Sequence, residues 1–476
     1  MNNILIYIGT IMNALMYPFL FLSIYFQVFM LSNFFSGRRA MHLEDKVSDK
    51  SYAKYSNLHD DGYVLDNDIY TPEVSFLIPA WNESKTLGGT IESIFNLIYP
   101  KDKITIFIIN DGSSDNTLEI AKSFENYDIN KKEYYFNNSN NRNGDKSVNE
   151  SEKDTNSIKV IVLDKKNGGK YTALNLALTY VTSELIICLD ADSYVDEKAL
   201  IIAAQYFKDE SVKGLASCMQ IKDTPTWVHK IQRIEYLLSI FWKKSYSNID
   251  AIQVVPGPFS IFRKSVFDEL GNYRPAHNAE DLEMTMRMHK HGYRIVNAHR
   301  AYVYTVGPDT LKGLIKQRVR WMRGFLDNAW DYREMFFKKK YGHFGLFTLP
   351  IAVSLIFYVV FAITYAVYKS LIALYNKYEE LSILGFKLPF SEWNGIDWFF
   401  VNTDIMLFLE MFVLTVLAFV IFTSRQIAKD ERPLLKHLLM YYFLYPLIAP
   451  IFIFKAVFGS IFKTKSTWGL QDNKSI

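Results

Sequence analysis

The apolar residues of this 476-residue chain are segregated to its two ends. Residues 1–37 contain no charged side chain. The run at 4–35 can cross a bilayer, which takes about 20 apolar residues, but is too short to cross it twice. It has no basic segment before it and is too long for a cleaved signal peptide, so residues 1–37 are expected to form a retained span. Arg38 and Arg39 follow at once, which puts the next segment in the cytoplasm. Three more apolar runs close the chain, at 341–368, 398–424 and 438–462, the last containing Pro446 and Pro450. Arg425, Lys429, Arg432 and Lys436 separate the last two and are expected to face the cytoplasm. The pattern predicts a multi-pass protein of the cell membrane, with the lipid bilayer as its first partner and four spans. Within the run at 398–424, Asp404 fits the headgroup level and Glu410 is a candidate to line a polar channel.

Between the ends the chain changes character. Charged residues make up 22% of the whole and aromatic residues 16%, which excludes both a disordered chain and a pure membrane bundle. The net charge of +3 is too small to imply a nucleic-acid partner. Cys188 and Cys218 have no metal-ligand spacing and lie in apolar runs, so both are expected as buried thiols rather than zinc ligands.

Short β-rich runs at 74–78, 104–109, 159–163 and 185–189 alternate with helical stretches that open near Ser84, Asp115, Tyr171 and Asp196. That order predicts an α/β, Rossmann-like domain over 72–307 with a mostly parallel sheet, preceded by a linker at 38–71. Residues 124–157 are rich in Asn, Lys, Ser and acids and read as a flexible insertion. Residues 308–340 read as a basic amphipathic interfacial helix, followed by three transmembrane segments over 341–462 and a tail at 463–476.

Each of the four strands is followed by a polar cluster, where ligands bind on sheets of this kind. The clusters are Pro79-Ala80-Trp81-Asn82-Glu83, Asn110-Asp111-Gly112-Ser113-Ser114-Asp115, Asn167-Gly168-Gly169-Lys170 and Asp190-Ala191-Asp192. Singly each is weak, since Asp-Gly is a common turn and Asp115 a common helix cap. Together they suit a nucleotide diphosphate attached to a sugar. Asp190 and Asp192 can hold Mg²⁺ or Mn²⁺ against the diphosphate, and Lys170 beside two glycines can approach phosphate or base. Farther on, Glu280 and Asp281 open a helical stretch, where Asp281 could take a proton from a sugar hydroxyl or simply favour the helix N-terminus. In Gln317-Arg318-Val319-Arg320-Trp321, Arg320 could pair with a diphosphate and Trp321 stack on a sugar, or both could sit at the headgroups.

Asp111, Asp190-Ala-Asp192, Glu280-Asp281 and the Gln317–Trp321 motif together resemble the signature of processive family 2 glycosyltransferases. The resemblance spans roughly 70–330. It implies a GT-A cytosolic catalytic domain beside an α-helical transmembrane region, with inversion at the anomeric carbon. It also implies a UDP-sugar donor held by Pro79, Glu83, Asp111, Lys170, Asp190, Gln317 and Arg320, with Asp111 at the uridine. Asp190 and Asp192 would hold the metal, Asp281 with Glu280 would be catalytic, and Trp321 would bind the growing polysaccharide. The segment Lys230-Ile231-Gln232-Arg233-Ile234-Glu235-Tyr236 is similar to that of biofilm poly-N-acetylglucosamine synthases of the intercellular-adhesin type, although Ala279 replaces their usual Thr. UDP-N-acetylglucosamine is therefore the first donor expected and UDP-glucose, for a cellulose-like glucan, the second. The family also leaves room for a small membrane accessory subunit. A lipid glycosyltransferase that adds one sugar is the rival, and the Gln317–Trp321 motif argues against it.

Overall fold

A computed structural model describes most of residues 14–46, and residues 69–125, 127–128, 133–134, 157–383 and 405–463. Most of the linker at 47–68, most of the insertion, Asp404, the side chain of Glu410 and nearly all of the tail lie outside the described residues.

After helix α1 (Leu20–Arg39) come β1 (Val74–Ala80), α2 (Leu87–Phe95), β2 (Ile104–Asp111) and α3 (Thr117–Ser123). A two-residue pair follows, β3 (Tyr127–Asp128) with β4 (Glu133–Tyr134), then β5 (Lys159–Lys165), α4 (Lys170–Leu178), β6 (Leu185–Cys188) and β7 (Ser193–Val195). Next are α5 (Ala199–Tyr206), β8 (Val212–Ile221), α6 (Trp227–Ser247), β9 (Ser260–Arg263), α7 (Lys264–Leu270) and α8 (Glu280–Lys290). The chain continues with β10 (Arg294–Thr305), α9 (Leu311–Asp331), α10 (Leu349–Ile383), α11 (Ile405–Ile427) and α12 (Leu435–Ile461).

Eight strands form one sheet in the order β5-β2-β1-β6-β9-β8-β10-β7. The four expected strands lie side by side and parallel, and β8 is parallel to β10. Strand β9 runs antiparallel between β6 and β8, and β7 antiparallel along β10. The sheet is therefore mostly parallel, with reversals confined to its second half.

Strands β1 and β2 are apolar on both faces because helices cover both. Alternation of side chains splits the core in two. Phe76, Ile78, Ile106 and Ile108 face one cluster with α2 and α5, while Leu77, Phe107 and Ile109 face the other with α4, α7 and α8. Phe26 and Met30 of α1 belong to that second cluster. The N-terminal helix is thus packed onto the sheet domain and does not float free of it.

Three helices are long and apolar enough to cross a membrane: Leu20–Arg39, Phe344–Ile383 and Leu435–Ile461. Among the described residues the remaining run supplies only the shorter apolar stretch Met411–Ile427 within α11. The helix of the run at 341–368 continues to Ile383 through Lys369, Lys377, Glu379 and Glu380. Cys188 and Cys218 are buried and unbridged in β6 and β8.

Helix α6 joins the sheet domain to the C-terminal helices. Its Arg233 is 1% exposed; Nε donates to Asp430 Oδ2 at 2.8 Å, and Nη1 and Nη2 donate to the carbonyls of Pro433 and Arg432 at 2.7 and 2.9 Å. Asp430 also binds Arg432. Burial alone would raise its carboxyl, but the two arginines hold it down to about 2.

Candidate active site

Residues 74–80 of β1 pair in register with 104–110 of β2, so the two strands end level. Their loops are tied together by short polar contacts. Asn82, with φ +57°, donates its backbone N–H to Ser113 Oγ at 3.0 Å and accepts from Ser114 N at 2.8 Å. Asp115 accepts from Thr117 N at 3.1 Å and Ser84 N at 3.2 Å. Those hydrogen bonds overcome a small burial effect and hold its carboxyl at about 2. Glu83 N in turn donates to Thr117 Oγ1 at 2.8 Å.

Asp111, the last residue of β2, is 4% exposed and organises the next loop. Oδ1 accepts from Lys165 Nζ at 2.5 Å and Gly168 N at 3.0 Å, and Oδ2 accepts from Gly169 N at 2.9 Å. Gly112 has φ +69°, and a Cβ there would meet Asn167 N at 2.6 Å, so the two loops touch backbone to backbone. Gly169, at φ +90°, turns the chain into α4 and places Lys170 at its first position.

Lys170 is the hub of the site. Its Nζ lies 2.6 Å from Asp190 Oδ1 and 3.3 Å from Glu280 Oε1. Burial would lower its proton affinity, but Asp190, Glu280 and Asp281 together raise it, so the ammonium stays charged. The Asp190–Asp192 turn is pinned by Thr90 Oγ1, which donates to Ala191 O at 2.9 Å, and by Ser193 N, which donates to Asp190 O at 3.0 Å. Burial, then the charges of Asp190 and Glu83, push the Asp192 carboxyl up to about 7. Glu83 is also raised, by burial and then by Asp190 and Asp115.

This corner holds more negative charge than Lys170 offsets. Oxygen donors crowded in this way fit a hard divalent cation such as Mg²⁺ or Mn²⁺. Among the described residues no three His, Cys, Asp or Glu side chains stand in a group able to hold an ion alone, so such an ion would share its coordination with substrate oxygens.

Glu280 and Asp281 open α8. Asp281 Oδ1 accepts from Leu282 N at 2.8 Å and Oδ2 from Gly257 N at 3.2 Å. Burial and the neighbouring Glu280 raise its carboxyl, while Lys170 opposes them. A Cβ added at Gly257 would meet Lys170 Nζ at 2.6 Å and both Asp190 oxygens at 3.1 Å, so a side chain there would displace the Lys170–Asp190 pair.

These groups surround a cavity of about 690 Å³. Of the residues expected from sequence, Pro79, Glu83, Asp111, Lys170, Asp190, Asp192, Glu280, Gln317 and Arg320 line it. Asp281 is not among the lining residues; it is half-buried beside Glu280 and bonded to Gly257 N. Trp321 is outside the lining; it is 39% exposed, and the Arg318 guanidinium lies 4.3 Å from its ring centroid. Arg318, which sequence reasoning passed over, is buried, with Nε 3.1 Å from Glu235 Oε1 and Nη2 2.8 Å from Glu235 Oε2. Tyr445 of α12 donates to the same carboxylate at 2.6 Å.

Sequence reasoning also missed Lys316, Pro275 and Asn278 in the cavity wall. Ala276, His277 and Asn278 take φ of +45°, +54° and +62°, a left-handed run that non-glycine residues rarely adopt. Helix α9 holds that loop, with Asn328 Nδ2 donating to Ala276 O at 3.0 Å. Of these, only Lys316, one position before Gln317, carried a signal in the sequence.

Among curated proteins, the poly-beta-1,6-N-acetyl-D-glucosamine synthase of Staphylococcus epidermidis is 34% identical over 253 residues, 53% of this chain and 54% of that protein. Its counterpart in Staphylococcus aureus strain COL is 32% identical over 254 residues, with 53% and 54% covered. The chain thus spans about half the length of the curated relatives it matches. A solved mannosyltransferase from Pyrobaculum calidifontis, in complex with GDP-Man and Mn²⁺, shares the fold with a TM-score of 0.53 at 14% identity, over 92% of this chain and 99% of that one. The profile of Glycosyl transferase family 2 matches residues 75–151 and that of Glycosyl transferase family group 2 matches residues 185–449. With the second match alone covering more than half of its length, this chain, a GT-A sheet domain joined to long apolar helices, belongs to the family 2 glycosyltransferases.

Proposed function

We propose that this protein is an inverting, processive glycosyltransferase that builds a β-linked polysaccharide from a UDP-sugar and passes it across the membrane that holds it. UDP-N-acetylglucosamine is the favoured donor, on the strength of what the two staphylococcal relatives are named for, and UDP-glucose is the second. The observation that carries the reading is the convergence of Asp190, Asp192, Lys170, Glu280, Gln317 and Arg320 on one cavity.

The donor lies across the strand ends. Pro79, Glu83 and Asp111 flank the nucleotide, and the turn that Asp111 holds through the Gly168 and Gly169 N–H groups brings Lys170 toward the diphosphate. Arg320 and Gln317 approach from α9 on the opposite wall and add charge and hydrogen bonds to the departing UDP. Asp190 and Asp192 would hold Mg²⁺ or Mn²⁺, which when bound neutralises the diphosphate and makes it a better leaving group. Asp281 takes the proton of the acceptor hydroxyl as that oxygen attacks the anomeric carbon and the bond to UDP breaks, which inverts the configuration. Its proton affinity, raised by burial and then by the neighbouring Glu280, suits a base, and Glu280 also pairs with Lys170. Trp321, on the next face of α9, stacks on the chain that has just been extended.

The sheet domain faces the cytoplasm, α1 and the C-terminal helices cross the bilayer several times, and the polymer leaves between them, with room for a small membrane accessory subunit. Membranes containing the protein, Mg²⁺ or Mn²⁺ and one radiolabelled donor at a time test the reading. A high-molecular-weight polymer from UDP-N-acetylglucosamine is expected. A small lipid-extractable product would overturn processivity in favour of a lipid glycosyltransferase.

A further inference from the structure

A second cavity, of about 510 Å³, lies where α1 and α11 meet β10, and none of the residues assigned to the reaction lines it. Its lining divides by chemistry. Phe34 and Phe35 of α1 and Phe419 and Phe422 of α11 form one part, with the rings of Phe35 and Phe419 5.8 Å apart. Phe35, Phe419 and Phe422 are 49%, 39% and 53% exposed, so these rings present apolar surface outward. Arg38, Lys46 and Lys429 form the other part; all three are exposed, and none makes an ion pair among the described residues. The acid in the wall, Asp45, is already engaged, with Oδ1 2.8 Å from His299 Nε2 and 3.7 Å from Arg300 Nε. Tyr302 of β10 closes the back, its hydroxyl donating to Ile427 O at 3.0 Å.

Both helices end at this cavity; Arg38 follows Phe34 and Phe35 by about one turn of α1, and Lys429 follows Phe419 and Phe422 just past the end of α11. That is the order of a helix leaving hydrocarbon for the headgroup layer. A small soluble anion would satisfy the cations but leave the phenylalanine wall wet, and an apolar ligand would leave three cations facing nothing. The volume suits a headgroup with the first part of its acyl chains. We propose that this cavity binds one phospholipid with an anionic headgroup, its phosphate against Arg38, Lys46 and Lys429 and its chains along the four phenylalanines. This rests on α1 and α11 lying in a bilayer, but not on the identity of the sugar.

The test is native mass spectrometry of the full chain, purified in detergent and delipidated, against phosphatidylglycerol, phosphatidylcholine and glycerol phosphate. One phosphatidylglycerol per chain should be retained about ten-fold or more better than phosphatidylcholine. The variant R38Q/K46Q/K429Q should lose that preference, and F422A should weaken retention of both lipids. Binding of UDP in the same sample checks the fold; if the triple variant fails it, the three single variants carry the test, each cutting retention several-fold. Equal retention of the two lipids, undiminished retention by the charge variants, or displacement of the lipid by an equal concentration of glycerol phosphate would each overturn the assignment.

Discussion

The two walls of the active-site cavity are built in different ways. The donor wall consists of four loops at the ends of parallel strands, and its polar groups are fixed by neighbours a few residues or one strand away: Asp111 by Lys165, Gly168 and Gly169, and Asn82 by Ser113 and Ser114. The facing wall, α8 and α9 with the left-handed loop at 276–278, is held from far away in sequence. Arg318 depends on Glu235 of α6 and Tyr445 of α12, Asp327 accepts a hydrogen bond from Ser460, and α6 itself is anchored through Arg233 to Asp430. The first wall is set by sheet topology. The second is set by how the C-terminal helices pack, so the two walls can be damaged separately.

The largest separation should come from Asp281→Asn. Transfer is expected to fall about 10²–10⁴-fold, the range for loss of a general base, while calorimetry finds UDP binding unchanged. Loss of UDP binding as well would mean that Asp281 supports the donor wall through Gly257. Chelation of divalent metal should do the reverse, removing transfer and UDP affinity together, with both restored by Mn²⁺.

Asp430→Asn probes the far anchor. It leaves Arg233 buried without its counter-charge, and breaking such a pair costs about 3–5 kcal/mol, to be read as a lower unfolding temperature in detergent. Transfer should fall with it, and UDP binding should weaken through α9 in the molecules still folded. The same pair predicts an acid limit. The Asp430 carboxyl is held at about 2 against an ordinary 3.8, so its stabilisation is complete above pH about 4 and is lost as pH falls from there toward 2. A flat stability profile across that interval would remove the pair from the account.

Gly257→Ala pushes a methyl between Lys170 and Asp190, and should raise the donor KM about ten-fold or more with little change in unfolding temperature. The smallest effect is expected from Thr310→Ala. Thr310 caps α9 through Gly313 N at 3.2 Å, and its loss should cost about 1 kcal/mol of stability and leave UDP binding untouched.

The same division explains what the sequence disclosed. Strands β1, β2, β5 and β6 are short apolar runs that each end in a polar cluster, and period and punctuation suffice to find them. Strand β8 (VKGLASCMQI) is buried on both faces and carries Gly, Ala and Ser, so it has no alternation to read, and β9 is only four residues long. Helix α6 carries Gln232, Arg233 and Lys244, polar residues that nothing local marks as interior, yet all three are buried. Their partners, among them Pro308, Asp430 and Glu44, lie 76 to 200 residues away in sequence, beyond the reach of any local pattern. Arg318 sat inside a motif noticed for its neighbours, and nothing local distinguishes a buried arginine from one at a headgroup.

The antiparallel insertion of β9 has a consequence for how the protein is made. The parallel half of the sheet, β5-β2-β1-β6, is complete once residue 188 has left the ribosome, but the partner of β6 is β9, more than seventy residues later. Until then β6 is an open edge, and open edges recruit other chains. Synthesis that stalls between these two strands therefore leaves a nascent chain with α1 already made and an unsatisfied β-edge beside it. A chaperone that shields that edge, or a slow stretch of translation after Arg263 instead of before it, would raise the yield of folded protein without touching a residue of the site.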